Sequence, residues 1–402
     1  MNVSNFRSFK EKQTLSMVKG TGKELPDNVF TAQMSSGKSI DLLHSAAIYG
    51  ANASGKTNVL RVLATMRSII TISNPPYLNI LFKPFLLDRE CREKPSEFEV
   101  TVLIDGVRYQ YGFSATEEQI YDEWLFVYPK GKPQVWFERE WNEKKQEHQW
   151  YLGDKLSGDK QVWKKATRNN ALFLSTAILL NSEKLKPLFD WFAETLHFVN
   201  YNPLTEDSLT ISMCENNQKN KKNILKFLKL ADCNIYDITI QKEEMNELMF
   251  KPKEIFLTHK DNNQEQVLFD LHSDESEGTN CFFELSGYFI DILENGGVIL
   301  IDELNNSLHP KLVQFLVELF HNKETNPKNA QLIFTTHDTT ILNQEVFRRD
   351  QIWFCEKNQD NATTLYPLSD FKPRKGVENL EAAYLSGRYG ALPFIQPFHL
   401  GE

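Results

Sequence analysis

The stretch Gly50-Ala51-Asn52-Ala53-Ser54-Gly55-Lys56-Thr57, directly after the apolar run Ala46-Ala47-Ile48-Tyr49, decides how the rest of the chain is read. It fits the phosphate-loop pattern GxxxxGK[ST], which requires a strand before it and a helix after it. Glycines at the two ends let the backbone curl. The N–H groups of Asn52, Ala53, Ser54 and Gly55, and of Lys56 to Asn58 in the first helical turn, can then face a run of phosphates. The Lys56 ammonium reaches the terminal phosphates, and the Thr57 hydroxyl is a ligand for magnesium. The pattern implies a bound nucleoside triphosphate with Mg2+.

Working outward, a helix is expected from Lys56 to about Ile70. Further on, Gly297-Val-Ile-Leu-Ile-Asp302-Glu303 is an apolar strand ending in two carboxylates. Asp302 is placed to hold the metal and Glu303 to act as base on the attacking water, since hydrolysis needs both functions. Adjacent carboxylates at the end of a buried strand are costly without such a role. A second apolar strand, Gln331-Leu-Ile-Phe-Thr335, ends in Thr336-His337-Asp338, which brings an imidazole toward the γ-phosphate. Both strands are apolar without alternation, the mark of central parallel strands covered on both faces. Glu303, Lys56 and His337 are therefore the candidate catalytic groups, with Thr57 and Asp302 the candidate metal ligands.

Elsewhere the pattern changes. Ser96 to Ile104 and Val107 to Phe113 alternate, and Asp105-Gly106 between them is a hairpin signal. Antiparallel structure is expected to continue near 123–126 and 135–140, preceded by a first strand near 2–6. From about 146 to 264 helical patterns, such as 184–196 and 222–230, alternate with asparagine-rich connections, so this part is expected to be a mostly helical insertion. The expected organisation is an N-terminal lobe over 1–145, the insertion over 146–264, a C-terminal lobe over 265–370 and a tail over 371–402. No heptad run builds an extended coiled coil.

Composition narrows the partners. The 402 residues carry a formal net charge of −9 with 41% hydrophobic content, an ordinary globular balance that does not suit a surface coated by nucleic acid. A local basic groove, and hence nucleic acid as a partner, stays open. The five cysteines are scattered with no CxxC pair, which excludes a disulfide framework and a zinc site of that spacing. No apolar run approaches the ~20 residues of a membrane helix, and MNVSNFRSFK lacks the apolar block of a secretory signal, so a cytoplasmic protein without a membrane partner is expected. The base-reading motif NKxD of GTPases is missing, since Asn322-Lys323 is followed by Glu324-Thr325. A hexameric motor using Arg348 or Arg349 as finger would leave other candidate residues without roles.

Ser276-Glu277-Gly278-Thr279, ahead of a helix expected over 280–293, resembles an ABC signature motif, although Glu275 stands where a leucine is usual. Together with the phosphate loop, Asp302-Glu303 and His337, it makes the chain resemble the α/β P-loop ATPase heads of the ABC class, as in the SMC and RecF proteins. Asn5-Phe6-Arg7-Ser8-Phe9 looks like that family's first strand. The resemblance implies a parallel core sheet with an antiparallel β subdomain. It also implies two heads, or a higher even number, closing head-to-tail around ATP, with Ser276 and Gly278 reaching the other subunit's nucleotide. Arg7 and Ser8 would touch the nucleotide, and 305–308 would form the D-loop. The glutamine of the usual Q-loop has no counterpart.

With no extended coiled coil and no attached nuclease expected, and with the tail Ala383-Tyr-Leu-Ser-Gly-Arg-Tyr-Gly-Ala-Leu-Pro-Phe394 and the run Asn169 to Ser175, the chain further resembles RloA- or AbiL-type abortive-infection ATPases and the ATPase of PARIS-type phage defence. That resemblance implies an ATP-driven sensor or scaffold controlling a separate Toprim-like effector nuclease. The alternative is a RecF-like clamp that grips DNA. For Gly387-Arg388-Tyr389-Gly390, docking on its own head and docking on a partner are both open.

Overall fold

The computed structural model describes residues 1–72, 82–199, 208–231, 234–241, 253–371 and 378–394. Its centre is a six-stranded sheet in the order Leu196–Val199, Val298–Ile301, Gln331–Thr335, Ser45–Gly50, Ile352–Lys357, Thr363–Pro367. The first five strands are parallel, and Thr363–Pro367 closes the edge antiparallel to Ile352–Lys357. The phosphate-loop strand therefore lies beside the strand that precedes His337, with the acid-tipped strand next in line. All three deliver their C-terminal ends to the same sheet edge, where ligands of open α/β sheets bind.

The continuous apolarity of these strands has its expected cause. Ala46 and Ile48 face one hydrophobic core while Ala47 and Tyr49 face another, and Val298 and Leu300 are split from Ile299 and Ile301 in the same way. On the first face lies the helix Lys56–Thr71, which buries Val59, Leu60, Val62, Leu63, Met66, Ile69 and Ile70. The other face is covered by the helices Glu277–Asn295 and Pro310–His321. This is an α/β P-loop fold, a parallel core sheet with helices on both faces.

Against the outer side of Lys56–Thr71 packs a seven-stranded antiparallel sheet, in the order Glu147–Leu152, Gln134–Asn142, Ile120–Tyr128, Val107–Ala115, Ser96–Ile104, Asn2–Ser4, Gln13–Thr14. At the hairpin Asp105 and Gly106 both take positive φ, 49° and 74°. This matches the two-residue turn whose twist suits antiparallel strands. The expected first strand is shorter than its pattern suggests. It stops at Ser4, and Asn5 and Arg7 turn into left-handed conformations with φ of 49° and 50°. Phe6 and Phe9 are both fully buried. Two residues three apart cannot share a strand's face, so the chain folds into a tight Phe6–Phe9 bridge instead.

The stretch 146–264 is not a separate helical body. Glu147–Leu152 joins the antiparallel sheet, and Leu196–Val199 joins the parallel one. The helix expected over 184–196 ends earlier, as Lys186–Asp190 followed by a wide turn to Thr195, because Leu-His-Phe-Val is recruited as a strand beside Val298–Ile301. Helices Leu209–Asn216 and Gln218–Leu230 pack on Glu277–Asn295, next to a three-stranded sheet of Asp237–Gln241, Glu254–Lys260 and Gln266–Asp270. The tail docks on its own head. Tyr389 is fully buried with its ring 5.7 Å from Phe354, its hydroxyl donates to Glu378 (2.7 Å), and Arg388 pairs with the same carboxylate at 2.6 Å.

Candidate nucleotide site

The phosphate loop is held open by backbone that ordinary residues avoid. Gly55 has φ of 107°, and a Cβ there would run into the hydroxyls of Thr363 and Ser8. Ala53 sits in the left-handed region at φ 60°. Such strain persists where the surroundings impose it, commonly at functional sites. The imposing contacts come from distant chain: Thr363 Oγ1 donates to Ser54 O (2.6 Å), Thr363 N donates to Ser8 O (2.7 Å), and Asn58 Nδ2 donates to Ser8 Oγ (2.8 Å). Ser8 thus reaches the loop through Asn58 and Thr363. Arg7 lies alongside, over the Phe6 ring at 5.6 Å, with its pKa lowered by burial and by the nearby Arg61.

Lys56 is 6% exposed and donates to the loop carbonyls Gly50 O (3.0 Å) and Ala51 O (3.1 Å). Burial lowers its pKa, opposed by the nearby Cys355, Glu303 and Asp302. Thr57 Oγ1 donates to Asp302 Oδ1 at 3.1 Å, although the two residues are 245 positions apart. The same oxygen accepts from Thr335 Oγ1 at 2.6 Å, and Thr335 Oγ1 accepts from Glu303 N at 2.7 Å. Thr335 is thereby the clasp that fixes the acid pair. Hard oxygen donors from a hydroxyl and a carboxylate suit Mg2+, so Thr57 and Asp302 fit as its ligands.

Glu303 has left-handed backbone, φ 52°, and a side chain that is 53% exposed. Its carboxylate lies 3.9 Å from His337 Nε2. The His337 backbone is fixed from behind: Asn305 Oδ1 accepts from His337 N (3.1 Å) and Thr336 Oγ1 (2.9 Å). Partial burial and the Lys56 charge lower the His337 pKa, opposed by Glu303 and Asp302, which keeps the ring neutral near pH 7. Lys56, Thr57, Asp302, Glu303 and His337 thus converge on one sheet edge.

Ser276 and Gly278 make other contacts. Ser276 caps the helix Glu277–Asn295, accepting from Thr279 N at 3.1 Å, and is exposed. Gly278 presses on the acid loop, where an added Cβ would lie 2.7 Å from Ser307 O. Their contacts are with Thr279 and Ser307, not with the phosphate loop of the same chain. Arg348 is 1% exposed, bonded to Asp350 and to the backbone of Gly22 and Glu24, while Arg349 pairs with Glu24. Both arginines are used inside the fold rather than offered as fingers.

The sequence pattern missed Thr363, which no local motif marks. The role of Thr335 was visible only as a hydroxyl ending an apolar strand. A groove lined by Asp27, Asn28, Glu318, His321 and Lys323 lies by the opposite, N-terminal ends of the core strands and shares no residue with this cluster.

A family model described as "AAA domain, putative AbiEii toxin, Type IV TA system" matches residues 45–343. The SMC head domain from Thermotoga maritima is similar in structure, with 12% identity and a TM-score of 0.39 over 91% of this chain and 97% of that one. So is the Smc head domain with an extended coiled coil from Pyrococcus furiosus, bound to the C-terminal domain of ScpA, with 11% identity and a TM-score of 0.38 over 85% and 95%. None of the curated proteins compared matches. These structural likenesses are too distant to carry a function across.

Proposed function

Because the chain belongs to this AAA-domain family of AbiEii type, we propose that it is an ATP-hydrolysing switch. Two copies, or a higher even number, close head-to-tail around ATP and Mg2+ and control a separate effector, a Toprim-like nuclease, in RloA-, AbiL- or PARIS-like bacterial phage defence. The observation that carries the ATPase part is the continuous bond chain from Thr57 through Asp302 and Thr335 to Glu303. It supports reading Thr57 and Asp302 as the metal pair and Glu303, whose carboxylate is exposed, as the base beside the phosphate loop.

The division of labour follows from these positions. Lys56 and the loop amides hold the phosphates, Thr57 and Asp302 hold the metal, Glu303 takes the proton from water, and neutral His337 donates toward the γ-phosphate. Arg7 and Ser8 border the nucleotide. The exposed Ser276 and the Gly278 backbone serve the partner's nucleotide, a reading supported by their contacts with Thr279 and Ser307 rather than with their own phosphate loop.

The test uses the purified chain alone and with a candidate Toprim-like nuclease. Mg2+-dependent ATP hydrolysis without nuclease activity is expected, with dimers or larger even assemblies of Glu303→Gln seen by mass photometry only in ATP. DNA or RNA cleavage by the lone chain, lost in Glu303→Gln, would overturn the separate-effector reading.

A further inference from the structure

The residue that departs most from the signature pattern is Glu275, directly ahead of Ser276. An acid there, rather than an apolar residue, needs a partner, because its side chain is only 9% exposed. That partner is His259 on the strand Glu254–Lys260: His259 Nε2 donates to Glu275 Oε1 at 2.5 Å. The imidazole is itself packed against the Phe269 ring at 4.7 Å, so its position is set by the three-stranded sheet.

The segment between that sheet and Ser276 is tied at each step. Leu271 N donates to Ile255 O (2.8 Å), and Asp270 Oδ1 accepts from His272 N (2.9 Å) and Ser273 N (2.8 Å). Asp274 Oδ2 accepts from Asp270 N at 2.9 Å. Past Ser276, Gly278 abuts Ser307 on the acid loop. Ser276 therefore stands between two fixed points, the His259–Glu275 pair on one side and the Gly278–Ser307 contact on the other. Among the described residues it has no bond of its own to a sheet.

We infer that His259 and Glu275 are positioning residues for the trans-acting signature loop: the pair sets where Ser276 meets the nucleotide of a second copy of this chain. The inference rests on the reading that Ser276 acts on the partner's site. Breaking the pair removes the tie nearest Ser276 and leaves Asp274 as the last held residue on that side. Misplacing a group by about 1 Å is enough to lower turnover on the order of a hundredfold. The KM for ATP, set by the chain's own phosphate loop, stays unchanged.

The experiment uses mixed dimers isolated through two affinity tags, so that a single site can turn over. In the first, one chain carries Lys56→Ala and the other carries Glu275→Ala; the competent site is completed by an intact signature loop. In the second, one chain carries both Lys56→Ala and Glu275→Ala and the other is unaltered; the competent site receives the loosened loop. The first dimer should keep the kcat of a Lys56→Ala/unaltered control, and the second should lose ten- to a hundredfold. Glu275→Gln, which keeps an acceptor for His259, should recover most of the loss, and His259→Leu, which breaks the same pair from the other side, serves if the alanine variant folds poorly. Equal activity of the two dimers would overturn the positioning role and leave the pair a local brace. A Ser276→Arg control in place of Glu275→Ala separates the two readings. If it too has no effect on the second dimer, the trans signature falls and the positioning role with it.

Discussion

Two glutamates, one on the antiparallel flank and one at the edge of the parallel sheet, are handled in opposite ways. Glu123 is fully buried and spends its lone pairs: Tyr111 Oη donates at 3.0 Å, Phe173 N at 2.6 Å and Leu174 N at 3.0 Å, and Arg139 lies 3.4 Å away. Burial pushes its pKa up, opposed first by Arg139 and then by the bonds it accepts. Glu303 keeps its oxygens facing solvent, on strained backbone, with His337 at 3.9 Å. A carboxylate that holds a fold together is saturated with partners, whereas one kept for chemistry is left with room for a water. The flank uses its glutamate to start the helix Phe173–Leu179, whose Ser175 hydroxyl then bonds Ile70 O at the end of the phosphate-loop helix (2.7 Å).

The sharpest way to break this contrast is to swap each carboxylate for a near-isostere. Glu303→Gln should lower kcat by about 10²–10⁴-fold, the usual worth of a general base, and leave the melting temperature within a degree or two. Steady-state ATPase assays and calorimetry read the two effects. Loss of fold in this variant would place Glu303 with the structural carboxylates. Glu123→Ala should do the reverse: leaving Arg139 buried without its partner costs about 3–5 kcal/mol, while the folded fraction binds ATP as before. Replacing both Glu123 and Arg139 by leucine should recover much of that stability. If the double variant is no better than the single, the pair does more than compensate a buried charge.

How much of this was legible in the chain follows the same division. The phosphate loop, the Asp302-Glu303 strand and the Thr335-to-Asp338 segment are local patterns, and local patterns survive folding unchanged because their spacing is set by one strand and one turn. Glu123 gave no signal. Its burial is decided when Phe173 and Leu174, some fifty positions downstream, bring their amides to it. Thr363, bonded to Ser54 across 309 positions, is invisible for the same reason. Leu196 read as the end of a helix because the short run Leu196 to Val199, three apolar residues and a histidine, has no period of its own, and only the neighbouring strand made it a sheet element. The tail offered two readings, and Tyr389 with Phe354, Tyr384 and Phe371 around it realises the one in which it covers its own head.

Thr335 lies on the border between the two kinds of group, since it is fully buried yet holds the acid pair in place. Thr335→Val keeps the shape and removes both bonds. It should cost about 1–3 kcal/mol, because Glu303 N loses its acceptor and Asp302 loses a donor. The Mg2+ concentration needed for half-maximal ATPase should rise in the same variant. A shift in stability with an unchanged Mg2+ requirement would mean that Asp302 holds its orientation without the clasp.

Two histidines repeat the contrast on a smaller scale. His321 is buried at the far end of the core strands, bonded to Ser45 Oγ at 2.8 Å, and its pKa is pushed down to about 3, first by burial and then by His44. An unfolded histidine titrates near 6.5. Between those values the unfolded chain binds the proton and the folded one does not. Stability present above pH 6.5 is therefore lost as pH falls toward 3, by roughly 1–2 kcal/mol per pH unit from this residue. His44, also lowered by burial, acts in the same direction. His337, lowered too but half exposed, should show itself in activity instead, with the acid limb of kcat/KM beginning below pH 6.5. His321→Gln should flatten the acid slope of the melting temperature and spare the activity profile; His337→Gln should remove the acid limb and spare the slope. If His321→Gln left the slope as steep as before, the stability loss would belong to the carboxylates, and the core histidine would be as free to titrate as the one at the edge.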